Sequence, residues 1–190
     1  MPLSEPAARE PIHTRTVTCR GYRRADGLWD IEGHLTDIKS YVFRNDHRGT
    51  IESGDPIHEM WIRVTLDESF TIRDIEAATD KSPYGLCPSI TPAYDQLKGL
   101  TIGGGFSRKL KERLGGVHGC THLSELMGPV ATTAFQTIFP ILARERGMRL
   151  EHTGEDKKKG PPPLLNACHA FASDSEIVRR HWPELYTGPD

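Results

Sequence analysis

A long two-residue alternation near the N-terminus, LWDIEGHLTDIKSYVF at residues 28–43, constrains the fold more than any other feature of the sequence. One parity carries Trp29, Ile31, Gly33, Leu35 and Asp37, and the other carries Leu28, Asp30, Glu32, His34 and Thr36. Successive side chains of a β-strand point to opposite faces, so the first set predicts a face packed on the core. The second set is either the solvated face of a sheet or part of a cleft that carries ionisable groups.

Other periodic segments predict more strands and several helices. Residues 12–24 alternate as a strand, and residues 57–66 and 70–78 form a predicted hairpin. Pro92 and Gly99 bound a short predicted helix. Two further helices are predicted near 107–114 and 122–143, and the second has an apolar stripe at helical spacing.

A length of 190 residues predicts one domain with tails. We expect a flexible polar tail at 1–11 and a single domain at 12–148. Residues 149–163 resemble a linker, because they are rich in lysine, proline and other polar residues. Residues 164–190 begin in a strand-like pattern and are expected to pack back on the domain.

Composition narrows the choice of partners. The net charge is −2 and no long basic run occurs, which argues against nucleic acid. The N-terminus lacks an apolar signal core and no run approaches about 18 apolar residues, so we predict a cytoplasmic protein without membrane contact. Gly103–Gly105 fits neither common nucleotide-binding glycine motif. An apolar sheet or helix face left exposed would make a homo-oligomer natural.

The stretch GGVHGCTHLSEL places Cys120 and His122 around a predicted helix start, with Thr121 as its cap. A helix N-terminus favours negative charge, so a cysteine there can act as a reactive thiolate. Cys87 and Cys120 are otherwise small buried residues. If the loops converge, zinc has enough ligands, with His122 as a further imidazole, in the set Asp55, His58, Cys87 and Cys120.

His58 is the strongest candidate for a catalytic base. It follows the turn Gly54–Pro56 and shares its parity with an apolar row, so it should point inward at the end of the sheet. Its ordinary pKa of about 6.5 suits proton transfer at neutral pH. If the face that carries Asp30, Glu32 and His34 is the cleft, we expect at least one of them within hydrogen-bond reach of His58. A hydrogen-bonded histidine at the edge of the core is the alternative.

The remaining cysteines, tryptophans and several histidines are predicted to be structural. Cys19 and Cys168 are expected in the core, as are Trp29 and Trp61. Histidines expected at the surface or in loops are His13, His47, His118, His152 and His181.

Four motifs together resemble a bacterial family known as a domain of unknown function. They are YRRADGLWDIEGHLTDIKSY, GDPIHEMWIRVT, PYGLCP and GVHGCTHLSEL, and the resemblance spans roughly residues 12–180. It implies a place among bacterial catabolic proteins, including those that degrade aromatic compounds.

A second resemblance concerns the order of motifs. GDPIHEMWIRVTLD, GLCPSI and HGCTHLSEL are similar to three motifs of NifU-like and SufE-like iron–sulfur scaffold proteins. This similarity implies an α+β fold, an antiparallel sheet with helices on one side. It also implies a zinc or iron–sulfur site at Cys87 and Cys120. Gly54 stands where the first cysteine of those proteins would lie, and His58 is the substitute ligand.

The sequence favours an enzyme that needs no cofactor over a metal-binding scaffold or a non-catalytic binding module. The expected reaction is a retro-aldol cleavage of a small aromatic, phenolic molecule, with loss of formaldehyde from a hydroxymethyl group. Such a lyase needs a base and a group that stabilises negative charge. His58 is the expected base, and Tyr84, Arg23 or Arg24 would hold a phenolate. Further candidates for the site are Asp30, Glu32, His34, Cys120 and His122.

Overall fold

The computed structural model describes residues 3–146 and 164–189, and the chain divides into two compact units, Met1–Pro140 and Ile141–Asp190. The strands are β1 (His13–Arg23), β2 (Trp29–Lys39), β3 (Phe43–Asn45), β4 (Gly49–Ile51), β5 (Pro56–Leu66) and β6 (Ile72–Lys81). A 3-10 segment, Cys87–Leu97, precedes α1 (Phe106–Leu114) and α2 (Thr121–Glu145), and α3 (Glu176–His181) lies in the second unit.

Strands β1, β2, β5 and β6 form one antiparallel sheet in the order β1-β2-β5-β6, and β3 pairs with β4 as a separate hairpin. The alternation of β2 is confirmed, because residues of its first parity are buried and those of its second are half-buried. Met60, Ile62 and Val64 of β5 are also buried. The predicted α+β class with an antiparallel sheet is therefore confirmed.

Helix α2 packs its apolar stripe on the core face of the sheet. Its buried residues include Leu123, Leu126, Met127, Val130, Ala134 and Ile138. Gly33 of β2 permits the close approach, since a Cβ atom there would lie 2.7 Å from Val130 Cγ2 and 3.1 Å from Leu126 Cγ. The close packing of α2 on β2 therefore requires glycine, which has no side chain, at position 33.

The substitution Gly33→Ala is expected to destabilise the protein by about 1–3 kcal/mol, because the added methyl overpacks the contact between sheet and helix. Gly128→Ala is the matched control. Apart from its chain neighbours and the backbone of its own helix, nothing lies within 4 Å of a Cβ atom at Gly128, which is exposed within α2. This change should therefore alter stability by less than about 1 kcal/mol. Urea unfolding measures the free energy of unfolding of both variants. An equal change in the two would contradict the close contact between Gly33 and α2.

Helix α2 alone among the described helices is long and apolar enough to cross a membrane, with a mean hydropathy of 1.4 in its most apolar window. Helix α2 still contains no continuous run of about 18 apolar residues, because polar residues such as Glu125 and Gln136 interrupt it. Its stripe is buried against the sheet, as in the core helix of a soluble protein.

Local geometry differs from the predictions in two connections. The sequence RNDHRGTIESGDP at residues 44–56 is typical of a loop, but residues 43–51 form the β3–β4 hairpin. Residues 87–97 form a 3-10 segment with Pro92 inside it, instead of a loop followed by a helix that begins at Pro92. Prolines at 88 and 92 lack the N–H group that a continuous α-helix would use, which favours short 3-10 turns.

One tryptophan lies on the opposite face from the one expected. Trp29 is buried as predicted, but the exposed fraction of Trp61 is 39% because its parity in β5 places it on the outer face of the sheet. There it stacks on His34, with ring centroids 3.5 Å apart.

In the second unit, Ser175 caps α3 by accepting a hydrogen bond from the Val178 amide.

The described residues 164–189 contain turns and helices and no strand, so the strand expected near Cys168 was wrong. Cys168 is exposed, whereas Cys19 in β1 is half-buried. The alternation of polar and apolar residues around Cys168 is too short to distinguish a strand from a turn. The predicted linker 149–163 lies outside the described residues.

Candidate functional site

Asp37 is a buried carboxylate at the end of β2, with 1% of its surface exposed. Arg15 donates to both of its oxygens, from Nε to Oδ1 at 2.7 Å and from Nη2 to Oδ2 at 2.8 Å. His13 Nε2 lies 3.0 Å from Oδ1, and His58 Nδ1 lies 3.0 Å from Oδ2. Each oxygen therefore has two partners, which fills the acceptor capacity of a carboxylate.

The register of the sheet brings these side chains together. Arg15 of β1 pairs with Asp37 of β2, and Asp37 pairs with His58 of β5. Directly paired residues of neighbouring antiparallel strands project from the same face, so all three side chains lie on the core side. A register shift follows at Ile38, where β2 and β5 cease to pair regularly. The cluster thus occupies the end of the core face.

Helix α2 adds His122 to the cluster. Its ring centroid lies 3.8 Å from that of His58, and its Nε2 lies 3.8 Å from Asp37 Oδ2. Its Nδ1 lies 3.9 Å from the Sγ atom of Cys120, which stands directly before the first residue of the helix, as predicted. We call Arg15, Asp37, His58 and His122 the Asp37 cluster.

Hydrogen bonds to Tyr94 hold the start of α2 against the 3-10 segment. The Tyr94 hydroxyl lies 2.9 Å from the backbone oxygen of Cys120 and 2.9 Å from Ser124 Oγ. Farther along the helix, Glu125 accepts a hydrogen bond from Arg15 Nη1 at 2.9 Å. The same arginine therefore joins the sheet to the helix that carries His122.

The charges of the cluster follow from these contacts. Burial of Asp37 opposes its ionisation most strongly, but the hydrogen bonds and charge of Arg15, with help from His13 and His58, lower its pKa to about 2. Burial lowers the pKa of His58, and the neighbouring His122 lowers it further, against the opposing effect of Asp37. Burial also lowers the pKa of His122. At neutral pH the carboxylate is ionised and both imidazoles are uncharged.

These shifts predict how stability changes with pH. Below about pH 6.5 the unfolded chain binds protons at His58 and His122 more readily than the folded chain does, so the free energy of unfolding should fall. Asp37 adds a second loss between about pH 4 and 2, where the unfolded carboxyl binds a proton first.

Chelator-treated protein unfolded in urea across this range measures the effect, with His122→Gln as the comparison. The variant should lose stability less steeply between about pH 6.5 and 5. An identical slope in both proteins would contradict the lowered pKa of His122.

Asp37 orients His58 for proton transfer. A carboxylate is an acceptor only, so His58 Nδ1 carries the hydrogen that it donates to Oδ2. In a neutral imidazole the other nitrogen, Nε2, then has a free lone pair. The side chain of His58 is 15% exposed, which leaves it reachable from solvent. The arrangement has the form of a base held in one tautomer by a buried carboxylate.

The residues that could hold a metal differ from those expected. Among the described residues, one group has its ligand atoms within 4.8 Å of one another, and it consists of Asp37, His58 and His122. Asp55 is exposed in the turn before β5, and Cys87 begins the 3-10 segment. Of the predicted set of four, His58 belongs to this group, and so does His122, the further imidazole that the sequence offered. Cys120 lies against the far nitrogen of His122.

The three polar residues of the other β2 parity do not approach His58. Asp30 accepts a hydrogen bond from Thr65 Oγ1, and Glu32 pairs with Arg63. His34 stacks on Trp61 with its Nε2 3.3 Å from Glu59 Oε1. They lie on the outer face because β2 alternates, whereas His58 faces the core with Asp37. The expected hydrogen bond between this row and His58 was therefore wrong.

Of the expected phenolate-binding residues, the two arginines lie away from the cluster. Arg24 binds Asp26 and Asp30 in the turn after β1, and Arg23 stacks over Trp29. Eight residues of strand separate Arg23 from Arg15, which corresponds to roughly 27 Å. Tyr84 is 65% exposed in the loop after β6. The cation of the site is Arg15.

Arg15, Asp37 and His13 were missed as site residues, although the sequence held a signal for one of them. Asp37 falls on the apolar parity of β2, and a carboxylate buried there requires a charged or hydrogen-bonding partner. His13, expected at the surface, lies at the start of β1 with its ring against this carboxylate. A search for a cation on the matching parity of a neighbouring strand would have found Arg15.

An open groove of about 860 Å³ runs beside α2, and it is largely apolar, with Phe70, Phe106 and Phe135 in its wall. A smaller outer-face pocket is lined by Trp61, Glu32 and Arg63. Neither of these two spaces includes a residue of the Asp37 cluster. The cluster itself is a half-buried patch at the end of the sheet.

Comparison with known proteins identifies the family. A family model described as a protein of unknown function, DUF2889, matches residues 13–136. The chain belongs to the DUF2889 family. This confirms the resemblance to a domain of unknown function, and the DUF2889 match runs from β1 into α2, across the whole Asp37 cluster.

No curated protein and no solved structure matches the chain. The similarity to NifU-like and SufE-like proteins therefore has no support from these comparisons. The similarity rests only on the order of the motifs that contain Cys87 and Cys120.

Proposed function

We propose that this DUF2889 protein is a cofactor-independent carbon–carbon lyase of bacterial catabolism. Its proposed substrate is a small phenolic molecule that loses a hydroxymethyl group as formaldehyde. The observation that carries the proposal is the hydrogen bond between buried Asp37 and His58 Nδ1, which leaves Nε2 as a base. Lowered pKa values keep the imidazoles of His58 and His122 uncharged at neutral pH, as a base must be.

In the proposed reaction, His58 Nε2 takes the proton of the hydroxymethyl oxygen. The O–H electron pair forms the C=O bond of formaldehyde, and the carbon–carbon bond breaks. Its electron pair passes to the remaining carbon and is delocalised into the phenolic ring. Return of the proton from His58 to that carbon completes the cycle, so R–CH₂OH gives R–H and CH₂O with no net proton change.

Each residue of the cluster has a place in this scheme. Asp37 stabilises the imidazolium that forms on His58, because their contact is already a hydrogen bond between a carboxylate and Nδ1–H. Arg15 keeps Asp37 ionised. His122, in ring contact with His58, helps to lower the pKa of that base, which favours return of the proton to the product carbon. We assign the activity to the cytoplasm, and a homo-oligomer remains an expectation from the sequence.

The test is a screen of phenolic compounds that carry a hydroxymethyl side chain, using protein treated with a chelator. We expect one equivalent of formaldehyde for each substrate molecule consumed, together with a product shorter by one carbon. Matched compounds with a methyl group in place of hydroxymethyl should not react, since they have no hydroxyl proton to remove. Absence of formaldehyde from every compound would contradict the proposal.

A further inference from the structure

We infer that Asp37, His58 and His122 bind one zinc ion, and that zinc at this position switches off His58 as a base. The binding step stands independently of the lyase reaction, whereas the switching step rests on the proposed function. The inference concerns a reversible ligand of the site and not a resident cofactor.

The spacing of the ligand atoms suits a four-coordinate zinc ion. Zinc–nitrogen and zinc–oxygen bonds of about 2.0–2.2 Å in a tetrahedron place neighbouring ligand atoms about 3.3 Å apart. Asp37 Oδ2 lies 3.0 Å from His58 Nδ1 and 3.8 Å from His122 Nε2, which brackets that value. Small side-chain rotations would equalise the two distances, and water would supply the fourth ligand.

Accessibility and donor chemistry favour the same ion. The His122 side chain is 26% exposed and that of His58 is 15% exposed, so an ion from solvent can reach both rings. Neutral imidazoles and a carboxylate are common zinc ligands, and the lowered histidine pKa values accompany this geometry. Zinc would bind Asp37 Oδ2, the oxygen that accepts the hydrogen bond from His58 in the free protein.

The surroundings of the three ligands resemble the outer support of a metal site. Arg15 holds both Asp37 oxygens in place, and Glu125 offsets the charge of the guanidinium through its own hydrogen bond. With both histidines neutral, these three charged groups sum to −1, which a divalent cation would relieve. The second nitrogen of His122 faces Cys120 Sγ at 3.9 Å, so the thiol lies behind this ligand.

Switching follows from the tautomer of His58. A neutral imidazole has one N–H group, and in the free protein Nδ1 carries it toward Asp37. Zinc must coordinate a lone pair on Nδ1, so the hydrogen moves to Nε2. The base nitrogen thereby becomes a donor, and proton abstraction stops without any loss of the imidazole. Removal of zinc restores the original tautomer.

Calorimetric titration of chelator-treated protein with zinc tests the binding, and cobalt substitution adds an absorption signature of four-coordinate nitrogen and oxygen ligands. We expect one ion per chain and at least a tenfold weaker affinity in His122→Gln, with a similar loss in Asp37→Asn. Cys87→Ala and Asp55→Asn are the matched controls, since both belong to the rival ligand set, and they should bind as the unmodified protein does.

Binding that survives His122→Gln, or that is lost in Cys87→Ala, would overturn the site, as would the absence of stoichiometric binding. His122 is on the surface of the cluster, so this variant folds even if Asp37→Asn does not. Given an active substrate, turnover should fall in proportion to bound zinc and return with chelator. Higher turnover with zinc would overturn the switch, whereas failure to find any substrate would leave the binding result intact.

Discussion

His58→Gln is expected to lower turnover by about 100-fold or more while the protein stays folded. Glutamine keeps a polar side chain of similar reach that can donate to Asp37, but it cannot accept and return a proton. Removal of a well-placed general base costs about 10²–10⁴-fold in rate. The measurement is formaldehyde release at saturating substrate, together with the urea midpoint of unfolding.

His34→Gln is the matched control for this experiment. His34 lies in the same sheet but on its outer face, where it stacks on Trp61. The control should keep turnover within a few-fold, because the sheet separates it from the Asp37 cluster. Full turnover in His58→Gln, or an equal loss in His34→Gln, would contradict His58 as the base.

Arg15→Met is expected to cost about 2–4 kcal/mol of stability, among the largest effects of any single change in the cluster. It leaves a carboxylate that is 1% exposed without its charged partner. The value is below that of a fully buried pair because the side chain of Arg15 is 37% exposed and water screens it. Urea unfolding at neutral pH measures the loss.

Two comparisons make this result specific. Arg20→Met changes an exposed arginine of the same strand on the outer face, and it should alter stability by no more than about 0.5 kcal/mol. Lowering the pH should narrow the difference between Arg15→Met and the unmodified protein, because protonated Asp37 no longer needs the cation. Equal losses in both arginine variants would show that Asp37 does not depend on Arg15.

The sheet was largely predictable because burial on one face imposes a strict period on a strand. The parity of β2 identified its core face, and the parity of His58 placed that ring on the inner side of β5. The start of α2 was predictable to within one residue, because the helix begins at Thr121, the residue that was expected to cap it. These features depend on near neighbours in the chain, for which local patterns carry the information.

The composition of the site was harder to predict because it depends on register. Arg15, Asp37 and His58 meet only if β1, β2 and β5 pair with the observed offsets, and a shift of one residue would send Asp37 to the outer face. His122 meets them only through the packing of α2 across Gly33. Sequence alone could rank the ionisable residues, but it assigned Asp30, Glu32 and His34 to the wrong neighbour.

The most direct measurement is the tautomer of His58, read from side-chain ¹⁵N NMR of the metal-free protein at neutral pH and assigned with His58→Gln. The account predicts a pyrrole-like, protonated Nδ1 and a pyridine-like, unprotonated Nε2, because Asp37 accepts from Nδ1. This measurement requires no substrate. A ring with its hydrogen on Nε2, or a ring already charged at neutral pH, would contradict His58 as an oriented base.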